Sequence, residues 1–509
     1  MRGKTKKIYS ILGSKKLFWI IFSIFIFEAG WIALSAIYPQ AFDEDFHFGL
    51  IKVYSHYWLP FLTKQPADAN NFGAVIHDPS FLYHYLMSFP YRFIALFVHG
   101  TPGQVIIMRF IDIGFFAWSL VLFRKILKRV GLSNQLTNLI LFIFILIPVV
   151  PQLAGQINYD DLLMPLVAIS CLLTFRAIDQ IKAKDPKAIT LFWLLLVCLT
   201  ATLVKFEFGP IFLGIVLYLG YLTYRNYKFQ FKDLVKQLYL GWGMQALIWK
   251  LIMIVIFIFL MAMFIDRDGY NLYKYHSLAP NCSQVLTTSD CSAYSVWSND
   301  NQTHNAIINN QTHVKFMNPV SYLGSWAYWM WYRLFFAVSG PNNFTNYPPL
   351  PLPAAGLLIV FVLAIYSILR YGKRIFYNNP YLAFMALVSF LYVAILIAEG
   401  YSVYRYTGTL ELMNGRYLLP VIFFLAAITG VSFSVSLKNS LPKKLFFSTL
   451  VLIMFLEGGG LITFITRSDD NWYWSNSTVV RVNHTAQDAA SKLVLEGSKT
   501  YETNDWFFN

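Results

Sequence analysis

Charge is what this chain has least of. Asp, Glu, Lys and Arg make up 13% of its 509 residues, where a water-soluble protein carries roughly 25%. A soluble globular enzyme is thereby excluded, and 57% hydrophobic residues in long unbroken runs point to a polytopic helical membrane protein. Those runs lack two-residue alternation, which excludes an outer-membrane barrel. Cysteine is nearly absent, at four residues, and no Cys/His spacing resembles a zinc site. Cys171 and Cys198 lie in apolar runs and read as packing residues. Cys282 and Cys291 flank a polar loop, where a small disulfide and two free thiols both stay open. The absence of an internal repeat counts against a transporter built from inverted halves. No small-residue cleavage pattern follows the basic residues 1–16, so they read as the flank of a retained first helix.

What the chain does have is about eleven apolar segments of spanning length, at 17–37, 104–123, 136–153, 162–175, 189–204, 208–223, 247–265, 350–369, 381–398, 418–437 and 445–465. Residues 81–98 are apolar too, but Pro90 and Arg92 interrupt them. Counting them as a span would send Arg124, Lys125, Lys128 and Arg129 outside, against the positive-inside rule. An interfacial or re-entrant helix resolves the conflict. With the N-terminus cytoplasmic and the C-terminus outside, short inner segments hold 24 of the 40 Lys and Arg. That distribution explains the net charge of +14 as membrane topology and not as a nucleic-acid groove. Only Asp179, Asp185 and Asp233 fall inside, whereas about nineteen acids collect outside. The domain organisation is therefore a transmembrane unit over 1–465, outer loops at 38–103 and 266–349, and an outer tail at 466–509. Asn281, Asn301, Asn310 and Asn343 head sequons, in keeping with an outer placement.

Four constellations face that outer side: Asp43-Glu44-Asp45 with His47, Asn158-Tyr159-Asp160-Asp161, Lys205-Phe206-Glu207, and Asn414-Gly415-Arg416-Tyr417-Leu418-Leu419-Pro420. Ionisable groups at a membrane boundary are costly unless paired or functional. The bland alternative for each is a solvated loop residue or half of an ion pair. Arg109 and Asp112, one helical turn apart, are expected to be such a structural pair. If residues 42–53 are helical, Phe42, Phe46 and Val53 form a stripe suited to a membrane surface. His84 and Tyr85 are placed on the surface of the interfacial helix. The inventory suits group transfer from a lipid phosphate. A carboxylate takes the proton of an acceptor hydroxyl, and an arginine fork stabilises the leaving phosphate. The arrangement would give inversion by a single displacement.

The acidic pair Asp43-Glu44 in the first outer loop, a second acidic motif in the next, Asp160-Asp161, and about eleven spans with a cytoplasmic N-terminus resemble the GT-C superfamily of membrane glycosyltransferases, which includes protein O-mannosyltransferases and the aminoarabinose transferases of lipid A. Asp43-Glu44-x-x-His47-Phe48 with Gly415-Arg416-Tyr417-Leu418-Leu419-Pro420 is more similar still to a group of bacterial membrane proteins allied to that superfamily. Asp78-Pro79-Ser80-Phe81-Leu82-Tyr83 and Arg109-Phe110-Ile111-Asp112-Ile113-Gly114 are similar, with departures, to two further stretches of that pattern. The resemblance covers about the first 440 residues and not the tail. It implies a GT-C-like bundle of about eleven transmembrane helices, with interfacial helices in the first outer loop. It also implies Asp43 as general base, with Glu44 positioning substrate or tuning it, and Arg416 on the lipid phosphate, joined by Lys205 and Arg109. Tyr417 and His47 would lie at the substrate, His47 orienting Asp43 or facing headgroups. Asp160 and Asp161 match a second acidic motif that holds a divalent cation in some members and not in others.

The reading is a membrane glycosyltransferase moving a sugar from a polyprenyl-phosphate donor to an outer-face glycan, lipid or protein acceptor. The alternatives are a transporter or flippase for a lipid or polysaccharide, and a non-catalytic membrane assembly factor. The first reading requires Asp43 and Arg416 to line one cavity at the outer interface, with their functional groups within about 10–12 Å, a span that leaves room for a sugar between acid and phosphate.

Overall fold

The computed structural model describes residues 10–228, 231–243, 245–309, 311, 314–341, 344–345, 351–436, 440–456 and 458–492. Among them nine helices are long and apolar enough to cross a membrane. The sheet found among these residues is the two-residue pair Val338–Ser339 with Phe344–Thr345. The chain is therefore all-α in build and multi-pass in character. Each of the nine overlaps one of the segments read from hydropathy, beginning with the first three long helices, Lys15–Ser35, Thr101–Arg129 and Tyr159–Lys182.

The two remaining segments are helical but shorter. Residues 136–153 form Asn134–Ile145 and Val149–Ala154, parted at Pro148, which has no N–H to continue a helix. The other is Ala188–Val204, of 17 residues. The last long helix bends at Gly458, Gly459 and Gly460, all at positive φ. A Cβ at Gly460 would stand 2.4 Å from the Glu28 carboxylate, so the first long helix is packed against a point where no side chain fits.

Helix ends follow sequence signals. Ser14 accepts from the Leu17 N–H at 3.1 Å to start the first long helix, and Asn158 accepts from the Asp160 N–H at 2.9 Å to start the third. The second and third long helices pack together, and both bury apolar residues, Phe116 and Phe123 on the second and Val167 on the third. The Phe123 ring stacks on Phe423 at 3.7 Å. Cys171 and Cys198 are buried free thiols, and Cys282 and Cys291 are disulfide-bonded.

Between the first and second long helices lie an acidic helix, Glu44–Tyr54, and a helix that carries Pro90 in its interior, Leu82–Ala95. The second is too short, at 14 residues, to cross a membrane. It exposes Leu86, Phe89 and Phe93, next to exposed Trp58 and Leu59. Arg92 donates to the carbonyls of Ser55 at 2.7 Å and Tyr54 at 2.9 Å, capping the C-terminus of the acidic helix with a positive charge. Two expectations are corrected here. Phe42 and Val53 are buried and Phe46 half-buried, so their stripe packs into the protein and not along a membrane surface. His84 and Tyr85 are likewise on the buried face of their helix.

The segment after Arg467 docks back on the first long helix. The Ile37 N–H donates to Trp472 at 2.8 Å, and Trp31 Nε1 donates to Asn483 Oδ1 at 2.9 Å. Ile32, Ala36, Phe464, Trp472 and Tyr473 bury one another there as a small second core. Of the sequons, Asn310 and Asn343 lie outside the described residues. Asn281 caps the short helix Cys282–Val285.

Candidate functional site

The turn that ends the first long helix is locked by one residue pair. Glu44, the first residue of the acidic helix, is fully buried and takes Arg109 in a two-pronged bond, Nε to Oε1 and Nη2 to Oε2, both at 2.7 Å. The same carboxylate accepts the N–H groups of Gln40 at 3.0 Å and Ile157 at 3.1 Å. Arg109 spends its other donors on the carbonyls of Ala33, Ala36 and Ile37, which a helix C-terminus leaves unpaired. The expected Arg109–Asp112 pair is thus replaced by Arg109–Glu44, because the fork reaches four carbonyl and carboxylate partners on the near side. With its donors committed, Arg109 is a strut between segments and has none left for a phosphate. Glu44, with four donors, is in the same position as a catalytic group.

Asp43 differs in every respect. It follows Phe42 in a pair of left-handed residues, at φ 54° and 64°, and its side chain caps nothing on the helix it precedes. That backbone turns its carboxylate away from Glu44 and onto Arg416, Oδ2 to Nη2 at 2.6 Å. Arg416 sits in the helical turn Gly415–Leu418, its N–H held by Asn414 Oδ1 at 3.1 Å. Its guanidinium lies 5.2 Å from the Phe42 ring and 5.1 Å from the Tyr417 ring. Its Nε is buried with no hydrogen-bond partner among the described residues.

Tyr417 connects this pair to a second one. Lys205 Nζ lies 5.6 Å from the Tyr417 ring and 4.4 Å from that of Tyr159, and bonds Asp160 Oδ1 at 2.8 Å. Lys205 is extended at the break after Val204, where the Phe206 N–H is caught by Ser80 Oγ at 3.0 Å. Tyr392 fixes Tyr417 by donating to its carbonyl at 2.9 Å. Asn158 Nδ2 ties the start of the third long helix to the Phe42 carbonyl at 2.9 Å. Asp43, Arg416, Tyr417, Lys205 and Asp160 therefore form one chain of contacts assembled from four distant stretches.

Asp161 is not part of it. Neighbouring helical residues point about 100° apart, so Asp160 meets Lys205 while Asp161 turns into the bundle. It is fully buried there, with neither oxygen partnered among the described residues and Asp112 and Asp160 as its charged neighbours. Asp112 accepts from the Tyr83 hydroxyl at 2.7 Å. Lys205 takes only Oδ1 of Asp160 and leaves Oδ2 buried without a partner among the described residues. Among the described residues no group of three His, Cys, Asp or Glu has metal-holding geometry.

His47 is buried too, which removes it from both the headgroups and Asp43. Its Nδ1 meets His84 Nε2 at 2.9 Å, and its ring lies edge-on to Tyr159 at 4.4 Å. One ring must donate and the other accept, which excludes a pair with both rings charged. Burial pushes His84 down to about 3. His47 is held well below its usual value by burial first, then by His84, Arg416 and Lys205. The unfolded chain binds a proton at each of these positions below about pH 6.5, whereas the folded chain resists until near pH 3 at His84. Stability is thus present at neutral pH and lost on acidification through that window, by about 1.4 kcal/mol per pH unit per histidine. Thermal midpoints measured in nanodiscs from pH 7 to 4.5 should fall, and fall less steeply in His84→Gln. An unchanged slope in that variant would place the acid sensitivity elsewhere.

A wall that the sequence did not announce comes from the disulfide segment. Tyr294, three residues past Cys291, lays its ring 6.4 Å from Phe46 and over Gly73. A Cβ at Gly73, which is also at φ +75°, would stand 3.0 Å from that ring. Asn70 Nδ2 donates to Asp290 at 3.1 Å beside it. The Tyr294 phenol is pushed up by burial, then by Asp78, Asp43, Asp300 and Tyr417. The Cys282/Cys291 spacing was the available signal, but nothing in it disclosed which face the loop covers. Comparison with family models, curated proteins and solved structures finds no match for this chain.

Proposed function

We propose that this protein is a GT-C-type membrane glycosyltransferase. It moves a sugar from a polyprenyl-phosphate donor to an acceptor at the outer face. The observation that carries the reading is the meeting of Asp43 and Arg416, 373 residues apart in sequence, beside Lys205 and Tyr417. A solvent-facing carboxylate next to two buried cations is what transfer from a lipid phosphate needs. Arg416 and Lys205 receive the donor phosphate, Arg416 with Nε and Nη2 as a two-pronged donor. Asp43 accepts the proton of the acceptor hydroxyl as its oxygen bonds the anomeric carbon. The anomeric carbon–oxygen bond to phosphate breaks, and its electron pair leaves on the phosphate that Arg416 stabilises. Attack opposite the leaving group inverts the anomeric centre.

In this reading residues 134–154 and 188–204 complete eleven crossings, with the N-terminus cytoplasmic and the C-terminus outside. Apolar helix faces take the lipid tail, among them the little-buried Leu247–Phe264. Glu44, Arg109 and the His47–His84 pair hold the wall in place without touching substrate.

The test is transfer of labelled sugar from a polyprenyl-phosphate donor in membrane vesicles. Arg416→Ala is expected to lose about 10²-fold or more. Arg416→Lys, which keeps the charge and loses the fork, recovers a part of that. Equal transfer by wild type and Arg416→Ala removes Arg416 from the site.

One observation favours a second reading. Asp112 and Asp161 are buried carboxylates in two packed long helices, with one oxygen of Asp112 and both of Asp161 unpartnered among the described residues, as in carriers that couple a lipid or polymer to protons or cations. Liposomes that translocate labelled polyprenyl lipid and transfer no sugar favour it over the enzyme.

A further inference from the structure

The transfer reading calls for a sugar between Asp43 and Arg416, yet their side chains touch at 2.6 Å. The two partners are held unequally. The Arg416 side chain is 8% exposed, packed between the rings of Phe42 and Tyr417, and fixed through its own backbone by Asn414. The Asp43 side chain is 59% exposed. Its backbone is set by two successive left-handed residues, so rotation about its side-chain bonds is enough to move the carboxylate into water. The guanidinium cannot follow it. Nor does Asp43 satisfy Arg416, since it engages Nη2 and leaves the buried Nε without a partner among the described residues. A phosphate, offering two non-bridging oxygens in the geometry of the fork, satisfies Nη2 and Nε together.

We propose that the Asp43–Arg416 pair is a latch on the general base, opened by the donor's own phosphate. Without donor, the carboxylate is held on Arg416 through Oδ2, away from the position in which it meets the acceptor hydroxyl. When the phosphate occupies the fork, Asp43 is displaced into the space the acceptor enters, and it becomes the base. Donor binding therefore precedes productive acceptor binding. This inference rests on the transfer reading for the role of Asp43. Its physical content, competition between a carboxylate and a phosphate for one guanidinium, is measurable without turnover.

The experiment measures binding of farnesyl phosphate to the full-length protein in nanodiscs, with farnesol as the arm that lacks the phosphate. Removing the competitor in Asp43→Asn should tighten farnesyl phosphate by about tenfold and leave farnesol unchanged. Asp45→Asn removes an exposed charge two residues away that does not touch Arg416, and it should stay within about twofold of wild type. Arg416→Ala should weaken binding at least about tenfold. Adding Asp43→Asn to it should bring no gain, because the two changes act on one interaction. Asp43→Ser repeats the test in case the amide finds its own bond to Arg416. Should both Asp43 variants bind no tighter than wild type while Arg416→Ala binds weakly, the latch is wrong and the phosphate site stands. Tightening in Asp45→Asn equal to that in Asp43→Asn also overturns the latch, in favour of bulk charge. If Arg416→Ala and Arg416→Gln bind farnesyl phosphate like wild type, the phosphate site falls and the latch with it.

Discussion

Asp43→Asn is expected to lower sugar transfer by about 10²–10⁴-fold, the range a positioned general base supplies, while leaving the thermal midpoint close to that of wild type. Both halves of this result follow from where the residue sits. The side chain is largely in solvent and bonds only one described partner, the buried Arg416, and the amide removes a proton acceptor while keeping an oxygen that accepts from Arg416 Nη2. The left-handed backbone at Phe42 and Asp43 is a conformation that asparagine adopts as readily as aspartate. Transfer from a labelled polyprenyl-phosphate donor measures the first half, and thermal unfolding in detergent the second. Undiminished transfer by Asp43→Asn ends the catalytic assignment. If binding of farnesyl phosphate tightens in the same variant whose transfer collapses, substrate affinity and rate move in opposite directions. A purely structural defect does not produce that pattern.

The second large effect belongs to stability. Arg109→Ala should destabilise the protein by about 3–5 kcal/mol, the usual cost of leaving one half of a buried ion pair alone. The reason is specific. The substitution strands the Glu44 carboxylate at full burial and also frees the carbonyls of Ala33, Ala36 and Ile37. Glu44→Leu with Arg109→Met removes both charges and should cost less than Arg109→Met alone. Recovery stays partial because the three carbonyls are still unpaired and Glu44→Leu also frees the N–H groups of Gln40 and Ile157. Denaturant or thermal unfolding of the purified variants measures this. A double variant no better than the single would show that the stranded Glu44 charge costs no more than the two N–H groups its removal frees. Glu44 and Asp43 are adjacent in sequence, and the expected phenotypes divide cleanly between them. Loss at 44 is a folding defect, and loss at 43 is a defect in chemistry.

Much of the architecture was legible along the chain. Hydropathy located the long helices, since a segment that must hydrogen-bond its own backbone in lipid is written locally as a run of about 20 apolar residues. Pro90 and the positive-inside rule together demoted 81–98, and the helix there is short. Pro148 and the glycines at 458–460 break two expected segments. The Pro148 break is local, a missing N–H, whereas the glycine break depends on a tight contact, Gly460 against Glu28, which hydropathy does not see. The tail was not legible at all. It docks on the first long helix through Trp472, Trp474 and Asn483, and no local pattern of Trp and Asn says where they will land.

The sequence by itself determined the class of protein, the approximate placement of its helices and the short list of charged residues worth following. It could do so because membrane solvation penalises charge residue by residue. What only the tertiary structure decided is which of those charges are tied up. Asp43 and Glu44 have the same chemistry and sit side by side. A left-handed turn sends one to Arg416 in the open and the other to Arg109 in the core. Asp160 and Asp161 divide in the same way by helical angle, and His47 finds a second histidine 37 residues on. Partner choice in each case depends on directions and distances between helices far apart in the chain. Those are set by packing and not by any residue's own preference.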